Sequence, residues 1–140
     1  MPPAATQFAF RLDPHSGVPV YRQLIDQVQA AIATSALRTG DQLPTVRRVA
    51  VDLAINPNTV SRAYREMEIR RILDTQQGTG TFIAESPAEN SNGSAAERQR
   101  QLTQLVTEFV ARAGSSGFTA ADLQRALHQL IPEAPGGKQK

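Results

Sequence analysis

Asn56-Pro57-Asn58-Thr59-Val60-Ser61-Arg62-Ala63-Tyr64-Arg65 is the stretch that decides how this chain is read. Asn56 carries the side-chain acceptor an N-cap needs, and Pro57 suits the first helical position, where its missing N–H costs nothing. A helix therefore starts here. Val60, Ala63, Tyr64 and Met67 recur at helical spacing on one face, while Asn58, Arg62 and Arg65 take the other, with Ser61 on its flank. One side is built for a core, and the other displays an amide, a hydroxyl and two guanidinium groups. Such groups match base edges and phosphates: Asn suits adenine, Arg suits guanine or a phosphate, and Ser suits either. The plainer alternative is a solvated face with an Arg62–Glu66 pair at i, i+4.

The neighbouring segments favour the first reading. Upstream, Leu43-Pro44 leads into a second helix over about 45–53, with Thr45 as N-cap and Val46, Val49, Ala50 and Leu53 facing inward. Its end near Ala54 lies two residues before the Asn56 cap. A short helix, a tight turn and a helix with a polar outer face form a helix-turn-helix, whose second helix enters the major groove. Downstream, the apolar pieces Ile72–Thr75 and Thr81–Ala84 flank Gln76-Gln77-Gly78-Thr79-Gly80, which predicts a β-hairpin. After a helix-turn-helix such a hairpin is a wing, with its tip able to reach a flanking groove. An earlier helix is predicted over 19–34, opened by Pro19, with Tyr21, Leu24, Ile25, Val28 and Ile32 inward. Residues 1–17 read as a tail with a short extended piece, Phe8–Leu12, and a turn at 13–17.

Composition narrows the function classes. With 140 residues, 40% of them hydrophobic and 20% charged, the chain folds as one ordinary domain or two small ones and is not disordered. It has no Cys, which excludes disulfides and thiolate metal sites. No apolar run approaches a membrane span, and the N-terminus lacks a signal-peptide layout, so a cytoplasmic location is expected. The net charge of +2 says little, but its placement is informative. Between Arg47 and Arg71 six Arg face three acidic residues, a local balance of +3 around the central helix.

The C-terminal part reads differently. Residues 86–95 are polar, with Pro and Gly, and form a linker. Leu102, Leu105, Val106, Phe109, Val110 and Ala113 then repeat at helical spacing, with Gly114 expected to end the run. Thr119 and Asp122 have capping-box spacing, Phe118 is placed to staple onto Leu123, and Leu123, Leu127, Leu130 and Ile131 form a second stripe, ended by Pro132. Residues 133–140 read as a disordered tail. An αα-hairpin over 96–132 is too small to bury its own stripes. It must pack on the first domain or on another copy of itself. Because the linker loosens it from its own chain, self-association is the expected solution, a two-fold homodimer the simplest, with Leu102, Leu105, Val106, Phe109, Val110, Leu123, Leu127 and Leu130 at the interface.

The span from Val18 to Glu85 resembles the winged-helix DNA-binding domain of GntR-type bacterial transcription regulators. Pro19-Val20-Tyr21-Arg22-Gln23-Leu24 is similar to the family's opening helix. Gly40-Asp41-Gln42-Leu43-Pro44-Thr45-Val46-Arg47 is similar to its most specific motif, Asn56–Glu68 to its recognition helix, and Gly78–Ile83 to its wing. The short C-terminal part is similar to the YtrA-like subfamily, whose two helices serve dimerisation. The resemblance implies a mostly α fold with a small β-hairpin: an N-terminal winged helix-turn-helix followed by a two-helix dimerisation piece. It implies a dimeric repressor on a palindromic operator. It also implies that Arg47, Asn56, Asn58, Thr59, Ser61, Gln77 and Gly78 contact DNA; Thr45, Arg48, Arg62 and Arg65 complete the candidate set. Four positions depart from the family pattern. Ser35 and Arg71 stand where Gly is common, Arg48 replaces a usual Glu, and Gln76-Gln77 replace a frequent basic pair on the wing.

Catalysis is not expected. His15 and His128 lie in unrelated segments, and neither has the Ser, Cys or carboxylate neighbours of a triad or metal site, so no cofactor is assigned. The competing class is a winged-helix module whose Arg face docks an acidic protein. A small-molecule effector could at most sit in a groove between dimer halves.

Overall fold

In the computed structural model, residues 8–85 and 93–131 are described. The chain divides into two compact units, residues 1–87 and 88–140.

The first unit contains α1 (Val20–Ala33), β1 (Gln42–Leu43), α2 (Val46–Leu53), α3 (Pro57–Ile69), β2 (Leu73–Gln76) and β3 (Gly80–Ile83). Its core gathers the inward stripes that the sequence predicts: Leu24, Ile25 and Val28 of α1, Val49 and Ala50 of α2, and Val60, Ala63, Tyr64 and Met67 of α3. Leu37, Leu43, Leu73 and Ile83 close it. Both α1 and α2 pack on α3, which is thus the central helix. The strands form an antiparallel sheet in the order β1-β3-β2, with Gln42 opposite Phe82 and Leu73 opposite Ile83. The hairpin is as expected, but β1 is an addition. Two residues hold no periodicity, and Gln42 and Leu43 become a strand only because β3 lies beside them.

The segment before α1 is a tail only in part. Phe10 is buried in the core, Phe8 packs edge-on against it with ring centres 4.9 Å apart, and Leu12 is half-buried. Two glutamines one turn apart on α1 hold the extended backbone. The Gln27 amide bonds both the N–H and the carbonyl of Arg11, and Gln23 does the same for Asp13. These side chains replace a missing strand partner. Residues 1–7 lie outside the described residues.

The second unit contains α4 (Ala95–Ser115) and α5 (Ala120–Leu130), packed against each other. The linker's last residues belong to the helix: Ser94 is the N-cap, accepting from Glu97 N–H at 3.1 Å, and Ala95 is already helical. Residues 86–92 of the linker lie outside the described residues, as do Pro132 and the tail beyond it. Gly114 does not end α4. The left-handed residue that closes the helix is Gly117 (φ 93°), from which Phe118 N–H reaches back to the Ala113 carbonyl. The capping box forms as expected. Thr119 Oγ1 accepts from Asp122 N–H at 3.1 Å, and Asp122 returns the bond to Thr119 N–H at 2.9 Å. That backbone bond, with the Thr119 hydroxyl and Arg125 adding to it, holds the Asp122 carboxyl below its ordinary value.

Candidate nucleic-acid interface

Two helix N-termini frame the site. At α2, Thr45 Oγ1 accepts from Arg48 N–H at 3.1 Å. At α3, Asn56 Oδ1 accepts from Asn58 N–H at 2.8 Å, and Pro57 fills the first turn. Each cap uses one acceptor lone pair and leaves donors free: the Thr45 O–H and the Asn56 amide NH2. Each helix N-terminus, with its dipole and free N–H groups, suits an anion.

The turn between the helices is closed by backbone bonds. Ile55 N–H reaches Ala50 O at 3.0 Å and Ala54 N–H reaches Val51 O at 3.2 Å, with Ala54 left-handed at φ 57°. Arg71 closes α3 in the same way (φ 63°), through Ile72 N–H to Met67 O at 2.8 Å. The helix exit is therefore retained and the strain accepted, since a side chain in this region costs about 1–2 kcal/mol. Ser35 (φ 65°) takes the same conformation after α1.

Tyr64 locks the two helices together. It points from α3 into the core, and its hydroxyl donates to the Pro44 carbonyl at 2.5 Å, one residue before the α2 cap. Burial pushes its phenol well above the ordinary value, so the donor keeps its proton. Gln42, two residues before Pro44, donates to Thr79 O in the wing turn at 3.3 Å. On the other side, Thr75 of β2 bonds to Glu68 of α3. Recognition helix, α2 cap and wing are thus cross-braced through side chains from separate elements. Sequence periodicity placed Tyr64 inward but could not show what its hydroxyl met, and nothing in Gln42 signalled its reach.

The arginines fall into two groups. Arg47 and Arg65 are exposed and make no ion pair among the described residues. Arg48 and Arg62 are held. Arg48 Nε lies 3.2 Å from Asp52 Oδ2, a largely exposed pair worth little and easily exchanged for a phosphate. Arg62 does not pair with Glu66 as the plainer alternative required. Arg70 takes that carboxylate at 3.0 Å, and the Arg62 guanidinium lies over the Tyr21 ring, 3.9 Å from its centre. Asn58 is exposed, while Thr59 and Ser61 are half-buried on the flanks of α3. Gln77 and Gly78 sit at the exposed wing tip, with φ 79° at Gly78 in the third position of a turn closed by Thr79 N–H to Gln76 O at 3.0 Å.

Comparisons with known proteins identify the family and the fold. Residues 20–83 match the model of the bacterial regulatory proteins of the gntR family. The chain is 33% identical over 129 residues to the HTH-type transcriptional repressor YtrA of Bacillus subtilis, covering 91% of this chain and 96% of that one. Among solved structures, a transcriptional regulator from Oenococcus oeni is similar at 31% identity and a TM-score of 0.54, covering 90% of this chain and 98% of that one. YtrA from Sulfolobus acidocaldarius, a GntR-family transcription factor, is similar at 25% identity and the same TM-score over 74% of this chain and 99% of its own. The chain belongs to the GntR family of DNA-binding bacterial transcription regulators, in its YtrA-like subfamily.

Proposed function

We propose that this regulator is a dimeric repressor. The first unit, its winged helix spanning 18–85, inserts α3 into the major groove of one operator half-site, and the hairpin over 96–132 joins two chains. Two chains related by a two-fold axis require a palindromic operator, with half-sites about one helical turn or a multiple of it apart. The observation that supports the DNA-binding face is that α2 and α3 each begin at a side-chain-capped N-terminus and each carry an exposed arginine, Arg47 and Arg65, with no ion pair among the described residues. Thr45, Arg47 and Arg48 meet phosphates from α2. Asn56, Asn58, Thr59, Ser61, Arg62 and Arg65 serve bases and phosphates from α3. Gln77 and Gly78 approach the flanking groove, and with Gln76-Gln77 uncharged the wing adds little electrostatic attraction.

The dimer rests on a second observation. Leu102, Leu105, Val106, Phe109, Val110, Leu127 and Leu130 are all exposed, Leu123 is half-buried, and Ala113 is the only buried hydrophobic residue described in the second unit. So much apolar surface on so small a unit calls for a partner of the same shape. The Bacillus subtilis relative is named a transcriptional repressor, which supports a repressor role here, exerted by occupying a promoter site.

The test uses a duplex enriched by the full-length protein from a randomised DNA library. Arg47→Ala and Arg62→Ala should each weaken binding to it without changing thermal unfolding. Loss of a bidentate base contact costs about 1–3 kcal/mol and relaxes specificity, whereas loss of a phosphate contact weakens all DNA alike and lowers the salt slope by about one. Unchanged affinity for both variants would instead favour an acidic protein partner on this face.

A further inference from the structure

We propose that Tyr21 is a positioning residue for DNA recognition: its ring fixes the plane of the Arg62 guanidinium so that Arg62 reads a guanine edge. The inference rests on the DNA-binding reading of α3 and adds to it a residue from α1, outside the helix-turn-helix.

Three observations carry it. First, the Arg62 guanidinium carbon lies over the Tyr21 ring, 3.9 Å from its centre, a distance that suits face-to-face stacking. A stacked guanidinium uses its face and leaves its in-plane N–H donors free, so it is held without being satisfied. Second, the carboxylate that would compete for those donors is taken: Glu66 is paired with Arg70 at 3.0 Å, and Arg62 makes no ion pair among the described residues. Third, Tyr21 is itself fixed. It is half-buried and packs against the core from the first turn of α1, so its position follows the fold and not the solvent. Arg65 and Arg47, by contrast, have neither a stacking ring nor an ion pair among the described residues.

The physical consequence separates the three side chains. A phosphate accepts a cation from many directions, so a mobile Arg serves it well. Guanine presents O6 and N7 side by side in one plane, and bidentate pairing requires the guanidinium plane to match. Ordering a free Arg at binding costs conformational entropy. A ring that orders it beforehand removes part of that cost, equivalent to about two- to tenfold in affinity for each half-site.

The experiment measures binding of the full-length protein to the library-selected duplex and to a scrambled duplex of the same length. Tyr21→Leu removes the ring face, Tyr21→Phe keeps it, and each is made in wild-type and Arg62→Ala backgrounds. The expected result is a two- to tenfold loss per half-site for Tyr21→Leu on the selected duplex only, no loss for Tyr21→Phe, and no further loss from Tyr21→Leu once Arg62 is Ala. Tyr21→Leu binding as wild type, or more tightly, would overturn the proposal, the latter by showing that the ring holds Arg62 away from DNA. Equal loss on both duplexes, or an undiminished loss in the Arg62→Ala background, would overturn it too, by assigning Tyr21 to packing alone. Should Tyr21→Leu unfold the protein, Arg62→Lys decides: it keeps the charge and loses the planar fork. It should lose affinity for the selected duplex only, and wild-type binding would refute the idea. Arg47→Ala in parallel separates the two levels. If it too changes nothing, the DNA-binding face is wrong; if it weakens binding while the Tyr21 and Arg62 variants do not, only the positioning role fails.

Discussion

Ala54 shows how much a single backbone angle carries. It sits at φ 57° in the turn that sets α2 against α3, and it has no polar side chain to offset the strain. Ala54→Gly should therefore stabilise the first unit by about 0.5–1 kcal/mol, the relief of strain exceeding the extra chain entropy of Gly; urea denaturation of the full chain measures it. A decrease would mean that the Ala methyl packs usefully. Tyr64 is the opposite case, a residue whose removal exposes a need. Tyr64→Phe leaves the Pro44 carbonyl without its donor and should cost about 1–3 kcal/mol by the same measurement. Of these details the sequence makes only some legible. The Thr45, Asn56 and Thr119 caps are local, each acting within three residues, and are readable from residue type. An Ala in the left-handed region is not, because Ala has no preference for it. The partner of Arg62 is equally hidden, since Tyr21 lies 41 positions away and only the packing of α1 on α3 brings them together.

Among the elements, the wing depends most on its glycines, and the two differ in kind. Gly78 has φ 79° with nothing near the position a Cβ would take, so Gly78→Ala should cost about 1 kcal/mol through backbone strain alone. Gly80 has φ 138°, and a Cβ there would strike the Gln42 side chain that braces the wing turn. Gly80→Ala should destabilise more, about 1–3 kcal/mol, and should weaken duplex binding as the wing loses its register. Comparing the two variants in thermal unfolding and gel shift tests this ranking, and equal effects would show that the Gln42 brace is unimportant. The Gly-bearing turn itself was readable, because two short apolar runs around it allow few alternatives. The third strand was not, since Gln42 and Leu43 pair only with a β3 that lies about 40 residues on. The end of α4 was misplaced for a related reason. Gly114 and Gly117 both qualify by residue type, and the hydrogen bond from Phe118 to Ala113 selects the second.

For the whole molecule, the prediction concerns the hairpin stripe. Phe109 is 58% exposed and Leu105 64% exposed in the single chain. If two copies bury that surface, Phe109→Asp places a carboxylate in an apolar interface, where an unpaired charge is strongly disfavoured. Light scattering should then report a dimer for the wild type and a monomer for the variant. Truncation after Glu85 should leave a folded winged helix, whose core draws only on residues before that point. Both changes should lower affinity for a palindromic duplex sharply, because the second half-site is no longer held at high effective concentration. A monomeric wild type, or a dimer indifferent to both changes, would refute the assignment of the hairpin.

What the sequence by itself determined is what short-range physics writes: the helices and their inward stripes, the caps, the wing turn, and the basic face around α3. Periodicity and capping act within a turn or two, so they survive in the order of residues. Tertiary structure alone decided the anchoring of Arg11 by Gln27 and of Asp13 by Gln23, the strand at Gln42–Leu43, the Tyr64–Pro44 lock and the ring beneath Arg62. Each of these joins residues at least ten positions apart, and no local pattern encodes a partner that only the packed core brings near.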